Sequence, residues 1–186
     1  MLDSRKCISY HTIENRGPIP RELRASFGDW VFGCDACLDS CPVGAGRFES
    51  HPDFIPATVE HARPALAGLL ELDETAFSER FRGRAIMRAK RDGLVRNACV
   101  ALGNVGTPGD APALAGALRD TAALVRGHAA WGLAELSTRF PDLIADAIAE
   151  LENALAVEQD EYVREEITLA LQQLSGGVTD GRTVTP

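Results

Sequence analysis

A mainly α-helical fold is predicted, with a small cysteine-bearing module followed by a helical-repeat domain. Three observations predict it. Three of the five cysteines fall within Gly33-Cys34-Asp35-Ala36-Cys37-Leu38-Asp39-Ser40-Cys41-Pro42. From about Ala57 alanine and leucine dominate, and apolar residues recur at i, i+3, i+4 and i+7. Val-Arg recurs at 95–96, 125–126 and 163–164, each time opening an alanine- and leucine-rich helix. Helical hairpins of roughly 30–40 residues match solenoid periods, in which each unit buries its apolar face on the next.

The cysteine spacing carries the chemistry. Cys-x2-Cys followed by x3-Cys-Pro matches the back end of the bacterial ferredoxin run, whose thiolates hold a cubane iron–sulfur cluster. A tight loop lets Cys34 and Cys37 converge on one cube, and the x3 step carries Cys41 away toward a second. Pro42 fixes the chain direction there and gives up an amide donor. Val31 stands where the run would have its first cysteine, and Cys7 is the obvious substitute. Zinc is the main competing reading, because four thiolates also suit a tetrahedral structural site. A disulfide pair is disfavoured without a secretion signal.

The elements follow in order. Residues 1–48 form the cysteine module. His11-Thr12-Ile13-Glu14 is a short helix or an extended piece, Arg16-Gly17-Pro18-Ile19-Pro20 a turn, and Arg21 to Phe27 a short helix. Trp30-Val31-Phe32 leads an apolar strip into the loop, either as dry packing beside a cluster or as plain core. Residues 49–56, rich in glycine and proline with their flanks, read as a linker, and His51 and His61 beside it read as surface histidines. Residues 57–175 form the repeat domain, with helices expected over 58–70, 74–81, 84–103, 110–119, 122–137, 141–156 and 160–174. Cys99 lies on the core face of its helix and reads as a buried small residue. Residues 176–186 read as a disordered tail.

Composition bounds the function. The 186 residues are 45% apolar and 25% charged, as in an ordinary globular chain. No apolar run approaches the length of a membrane span, and Met1-Leu2-Asp3-Ser4-Arg5-Lys6 lacks the apolar core of a secretion signal. A cytoplasmic location with no membrane partner is therefore expected. The net charge of −8 excludes indiscriminate nucleic-acid binding but not a local basic patch. Such a patch is present in the sequence: Arg80, Arg82, Arg84, Arg88, Lys90, Arg91 and Arg96 fall within seventeen residues against one acid, Asp92. The run is either a solvated helix face or a phosphate-contacting face, and Arg126 and His128 on the next repeat could extend the latter.

Taken together these pieces resemble the C-terminal half of the epoxyqueuosine reductases, tRNA-modifying enzymes that remove an epoxide oxygen in queuosine synthesis. The resemblance is carried by Arg5-Lys6-Cys7-Ile8-Ser9-Tyr10-His11-Thr12-Ile13-Glu14, Gly17-Pro18-Ile19-Pro20, the Cys34–Cys37–Cys41-Pro42 loop, Arg96-Asn97-Ala98-Cys99-Val100-Ala101-Leu102-Gly103-Asn104 and Val125-Arg126-Gly127-His128-Ala129-Ala130-Trp131. It implies a partial ferredoxin-like module of the double [4Fe-4S] type followed by HEAT-like repeats. It further implies that Cys7, Cys34 and Cys37 share one [4Fe-4S] cluster and that Cys41 serves the other. Ser9 and Asp35 would lie toward a cobalamin, and Arg16 toward the anticodon stem-loop of tRNA. Arg84, Arg88, Lys90, Arg91, Arg96, Arg126 and His128 are the further candidates for tRNA contact. The family's cobalamin domain, catalytic acid and first cysteine motif are not in this sequence. Thiolate ligation contributes much of a metal module's folding free energy. Alone the polypeptide is therefore expected to assemble clusters poorly and not to catalyse, either as a fragment or with the other half supplied by a separate chain. The alternative is a non-enzymatic helical-repeat binding module with a zinc-stabilised cysteine site.

Overall fold

The structure, a computed structural model, describes residues 3–43, 52, 55 and 58–177. His51, most of the expected linker and residues 178–186 lie outside the described residues.

Helices are the regular elements of the described residues, with no strand among them. Five short elements make up the described part of the N-terminal module. A 3-10 turn, Ser4–Lys6, is capped by the Asp3 carboxylate and leads into a π-helical turn, Tyr10–Glu14. Helix α1 (Arg21–Arg24) runs on as the 3-10 turn Ala25–Phe27, and helix α2 (Ala36–Asp39) carries Cys37. Gly28 and Gly33 adopt positive φ, of 53° and 75°, where a side chain would be strained.

The repeats begin with α3 (Val59–Ala62) and α4 (Leu66–Leu70). The sequence predicts one helix over 58–70, and Pro64 breaks it: a proline removes an amide donor and pushes the preceding residue out of the α region. Helix α5 (Glu74–Phe81) has the predicted limits, set by Asp73, whose carboxylate accepts from the Ala76 amide at 2.7 Å. The expected helix over 84–103 also divides, into a 3-10 helix, Ala85–Ala89, and α6 (Lys90–Val105). The joint is Lys90, at φ 62° the one non-glycine with positive φ among the described residues. Helices α7 (Ala111–Ala117), α8 (Ala123–Arg139), α9 (Ile144–Val157) and α10 (Glu161–Gly177) follow.

These helices pack in two layers. Helices α6, α8 and α10 lie side by side, and α4, α7 and α9 form the second row against them. The apolar rows meet between the layers: Val95, Ala98 and Leu102 of α6, Val125, Ala129, Leu133 and Leu136 of α8, and Val163, Ile167, Ala170 and Leu174 of α10. Helices α6 and α8 meet backbone to backbone. A Cβ on Gly132 would stand 2.6 Å from the Cys99 carbonyl oxygen, and one on Gly103 2.9 Å from the Gly132 Cα. Cys99 is fully buried there, and burial pushes its thiol well above the ordinary range.

Charge stitches successive repeats. Arg91 of α6 forms a bidentate pair with Asp120, which precedes α8. Arg126 of α8 does the same with Glu158, which precedes α10, at 2.6 and 2.9 Å. The N-terminal module sits on the α6–α8–α10 layer, where Ile19 and Phe27 bury against Val100 and Trp131.

Candidate functional site

The four candidate thiols are all free. Cys7, Cys34 and Cys41 are partly buried and Cys37 is exposed. Two side chains of the Cys7 segment hold the cysteine loop. The Ser9 hydroxyl donates to the Cys34 carbonyl at 3.0 Å. The Gly33 amide donates to Thr12 Oγ1 at 3.0 Å, while that hydroxyl donates onward to the Ile8 carbonyl at 2.8 Å. The loop is thus tied on both sides of the peptide that enters Cys34. Behind Cys7 lies His11, buried, with its backbone amide on the Cys7 carbonyl at 3.1 Å and its Nε2 on the Arg5 carbonyl at 2.7 Å. Asp35 is exposed on the loop. The residues fit a thiolate-held cluster in donor chemistry and in the pairing of their two segments, with partly buried Val31 and Phe32 as an apolar flank. Among the described residues no three His, Cys, Asp or Glu side chains already converge at metal-ligand distances.

The second support comes from α6. Asn97 is fully buried and donates from Nδ2 to the carbonyls of Thr12 at 2.9 Å and Val31 at 2.8 Å. Its Oδ1 accepts from Arg96 Nε at 3.0 Å and Nη2 at 2.8 Å. Arg96, also fully buried, donates to the carbonyls of His11, Asn15 and Gly17 at 2.6, 2.9 and 2.7 Å. No carboxylate among the described residues pairs with it, and burial lowers its guanidinium to about 10. Two turns on, Asn104 donates to the carbonyls of Arg24 and Gly28 at 2.8 and 3.1 Å.

Helices α8 and α10 complete the grip. His128 is fully buried, and its Nε2 accepts the Ile19 amide at 3.1 Å. The proton therefore sits on Nδ1, which donates to the Leu124 carbonyl at 2.7 Å, with the Tyr162 hydroxyl at 3.1 Å. Burial and then the nearby Arg24 hold the imidazole neutral, with its pKa well below 6.5. Glu166 of α10 takes a bidentate pair from Arg24 at 2.9 and 2.6 Å and a further bond from Arg21. Arg24 also donates to the Ile19 carbonyl at 2.8 Å and lies 5.6 Å from the Trp131 ring centre.

The basic run therefore does not form one surface. Arg96 and His128 were candidates for tRNA contact, but both are fully buried and bound to the N-terminal module. Arg91 and Arg126 point to carboxylates of the following repeat. Asp120, despite its burial, is held below its ordinary range by Arg91, and Arg126 lowers Glu158 to about 2. These four residues hold the fold together. What remains is a smaller patch. Arg82, Arg84, Arg88, Lys90 and Arg16 are exposed. Arg16 donates to the Ala89 carbonyl at 3.0 Å, beside Lys90, and Arg88 is paired with Glu14 while staying 67% exposed. Sequence reasoning also missed Thr12, Asn97, Arg24 and Glu166. A signal existed for Asn97: Arg96-Asn97 stand inside an otherwise apolar helix run, where polar groups survive only if partnered.

These features define a class, an iron–sulfur module of the double-cluster type mounted on a helical-repeat scaffold. Residues 1–44 match the 4Fe-4S double cluster binding domain family, and residues 84–172 match the HEAT repeats family. Over most of its length the chain matches part of the epoxyqueuosine reductases. It is 41% identical over 143 residues to the epoxyqueuosine reductase of Alicycliphilus denitrificans, covering 72% of this chain and 39% of that one. With the reductase of Bacillus cereus it shares 33% over 180 residues, 94% of this chain and 44% of the other. An uncharacterized protein of Geobacillus stearothermophilus is 33% identical over 175 residues, 93% of this chain and 77% of its own length. A crystal structure of an epoxyqueuosine reductase with an epoxyqueuosine-modified tRNA-Tyr stem loop superposes with a TM-score of 0.82 at 31% identity, over 94% of this chain and 45% of that one. The chain spans less than half the length of the reductases it matches. No helix among the described residues is long and apolar enough to cross a membrane.

Proposed function

We propose that this chain supplies the iron–sulfur and RNA-docking part of a cytoplasmic epoxyqueuosine-reducing enzyme. Cys7, Cys34 and Cys37 would hold one [4Fe-4S] cluster, and Cys41 would serve a second. Such clusters supply single-electron transfer. The acceptor is a cobalamin bound by the part of the family that lies outside this chain, in the same polypeptide or in a partner, and the remaining cysteine ligands come from there too. By itself the chain does not reduce the epoxide. Asp35, exposed on the cysteine loop, faces that part. The Ser9 hydroxyl, engaged by Cys34, shapes the loop instead. The proposed division of the chain is a module over 1–48, a linker over 49–56 and repeats over 57–175.

The anticodon stem-loop docks on Arg16, Arg84, Arg88 and Lys90, the candidates that remain exposed. The observation that carries the whole reading is the double tether, Ser9 to Cys34 and Gly33 to Thr12, which joins the Cys7 segment to the Cys34–Cys37 loop. Anaerobic reconstitution with ferrous iron and sulfide, in the presence of the cobalamin-binding part of a family member that supplies the remaining cysteine ligands, tests it. A brown protein with sulfide-to-iron charge-transfer absorbance is expected. Its loss in a Cys7→Ser, Cys34→Ser variant would follow. A colourless product carrying zinc on the same thiols would replace this reading with a zinc-stabilised binding module.

A further inference from the structure

We propose that Asn97, braced by Arg96, is a positioning residue for the thiolate site, so that a repeat helix forms part of the site's supporting shell. The proposal deepens the iron–sulfur reading of Cys7, Cys34 and Cys37 and rests on it for the identity of the metal.

Two cysteine-bearing segments must be held against each other for one cube to form: residues 7–12, and the loop that begins at Val31. They are far apart in sequence, and Ser9 and Thr12 join them directly. Those two bonds start from short side chains on a single π-helical turn. They fix the loop to that turn but do not fix the pair to anything else. Asn97 does. One amide group donates to Thr12 on the first segment and to Val31 at the root of the second, at 2.9 and 2.8 Å. A planar amide with two donors 120° apart sets the distance between the two carbonyls, as a spacer does. The amide cannot rotate, because its oxygen accepts both bonds from Arg96, and Arg96 in turn takes the His11, Asn15 and Gly17 carbonyls. His11 is the residue whose backbone amide holds the Cys7 carbonyl. Every contact in this chain of bonds is buried or partly buried, so water offers little substitute. Partners that orient the ligands of a metal site without touching the metal typically change its affinity 10–100-fold when removed.

Asn97→Asp isolates the effect. It keeps size and the acceptor toward Arg96, which gains a carboxylate partner, but it removes both donors and turns negative oxygen toward the Thr12 and Val31 carbonyls. Asn104→Asp is the control: two turns further along α6, it removes the matching donors to Arg24 and Gly28, which lie on neither cysteine-bearing segment. The assay needs no metal. The reduced, cluster-free chain is alkylated with iodoacetamide, and each thiol is followed by mass spectrometry. Cys99, fully buried, reports whether the repeats stay folded.

In the unsubstituted chain Cys7 and Cys34 react more slowly than exposed Cys37. Asn97→Asp is expected to speed both about tenfold, with Cys99 still silent, and Asn104→Asp to leave them within about twofold. Iron bound per chain after reconstitution falls in parallel for Asn97→Asp alone. Unchanged Cys7 and Cys34 rates in Asn97→Asp would overturn the proposal, and so would an equal increase in Asn104→Asp, which would mean that the module merely undocks as a unit. Should Asn97→Asp expose Cys99, Arg96→Lys replaces it. That variant keeps the charge but not the fork, and is expected to loosen Cys7 more than Cys34; no change would overturn the proposal equally. If the thiol pattern responds as stated but the unsubstituted chain takes up no iron even when reconstituted with the part that supplies the remaining ligands, the positioning role stands and the cluster reading fails.

Discussion

Glu166→Ala is the sharpest test of how the N-terminal module is held. Arg24 is 1% exposed and Glu166 7%, joined by two bonds at 2.9 and 2.6 Å. Truncating Glu166 leaves a guanidinium buried without a counter-charge. Opposite charges about 4 Å apart at an effective dielectric near 20 interact by roughly 4 kcal/mol, and breaking a buried pair costs about 3–5 kcal/mol. Arg24 keeps its bond to Ile19 and its place over Trp131, which offset part of the loss. A net destabilisation of about 3 kcal/mol follows, or a fall in Tm of roughly 6–12 °C for a domain of this size. Urea unfolding followed by tryptophan fluorescence measures it, since Trp131 lies against the pair. The double variant Arg24→Met, Glu166→Met should return to within about 1 kcal/mol of the parent, because an apolar pair of similar volume needs no desolvation. A loss under about 1 kcal/mol for Glu166→Ala, or a double variant as unstable as the single, would refute the view that the pair is a buried, interdependent tie.

Further outcomes follow from the same geometry. Gly132→Ala should cost about 1–3 kcal/mol in urea unfolding, because its Cβ would meet the Cys99 carbonyl oxygen at 2.6 Å. Gly116→Ala, exposed in α7 with nothing within 4 Å, should instead gain about 0.5–1 kcal/mol. His128 stays neutral in the fold but protonates in the unfolded chain below about 6.5, so its contribution is complete above that pH and fades as pH falls. Between pH 6.5 and 5 the loss should reach about 2 kcal/mol, and His128→Gln should flatten that part of the stability profile. Replacing Arg84, Arg88 and Lys90 by glutamate should lower the slope of log K against log salt for stem-loop binding by about 2–3, measured by fluorescence anisotropy. The same exchange at Arg91 should cost stability instead, through Asp120.

The repeat architecture was legible because it is written locally. Val163, Ile167, Ala170 and Leu174 mark one helix face by spacing alone, and Asp73 announces the start of α5. The cysteine loop was legible for the same reason. The interface between module and repeats was not. Arg96 bonds residues 79 to 85 positions away, and Arg24 reaches Glu166 across 142. The apolar run around Arg96 says that it needs partners but not which, and Arg88, among other cations, is exposed. A window of sequence sees seven cations within seventeen residues; only the tertiary partners divide them into a surface patch and an internal frame. The breaks at Pro64 and Lys90 differ in kind. The first follows from proline chemistry; at the second, Arg16 reaches across to the Ala89 carbonyl from outside the segment.

The N-terminal module touches α6 through Asn97, α8 through His128 and α10 through Glu166. A stack of helical hairpins ordinarily behaves as a spring, each unit free to pivot slightly on its neighbour. A rigid body bolted to three successive coils removes that play. The curvature of the array is thereby fixed from within, before any partner arrives, and whatever loosens the cysteine module would also release the spring.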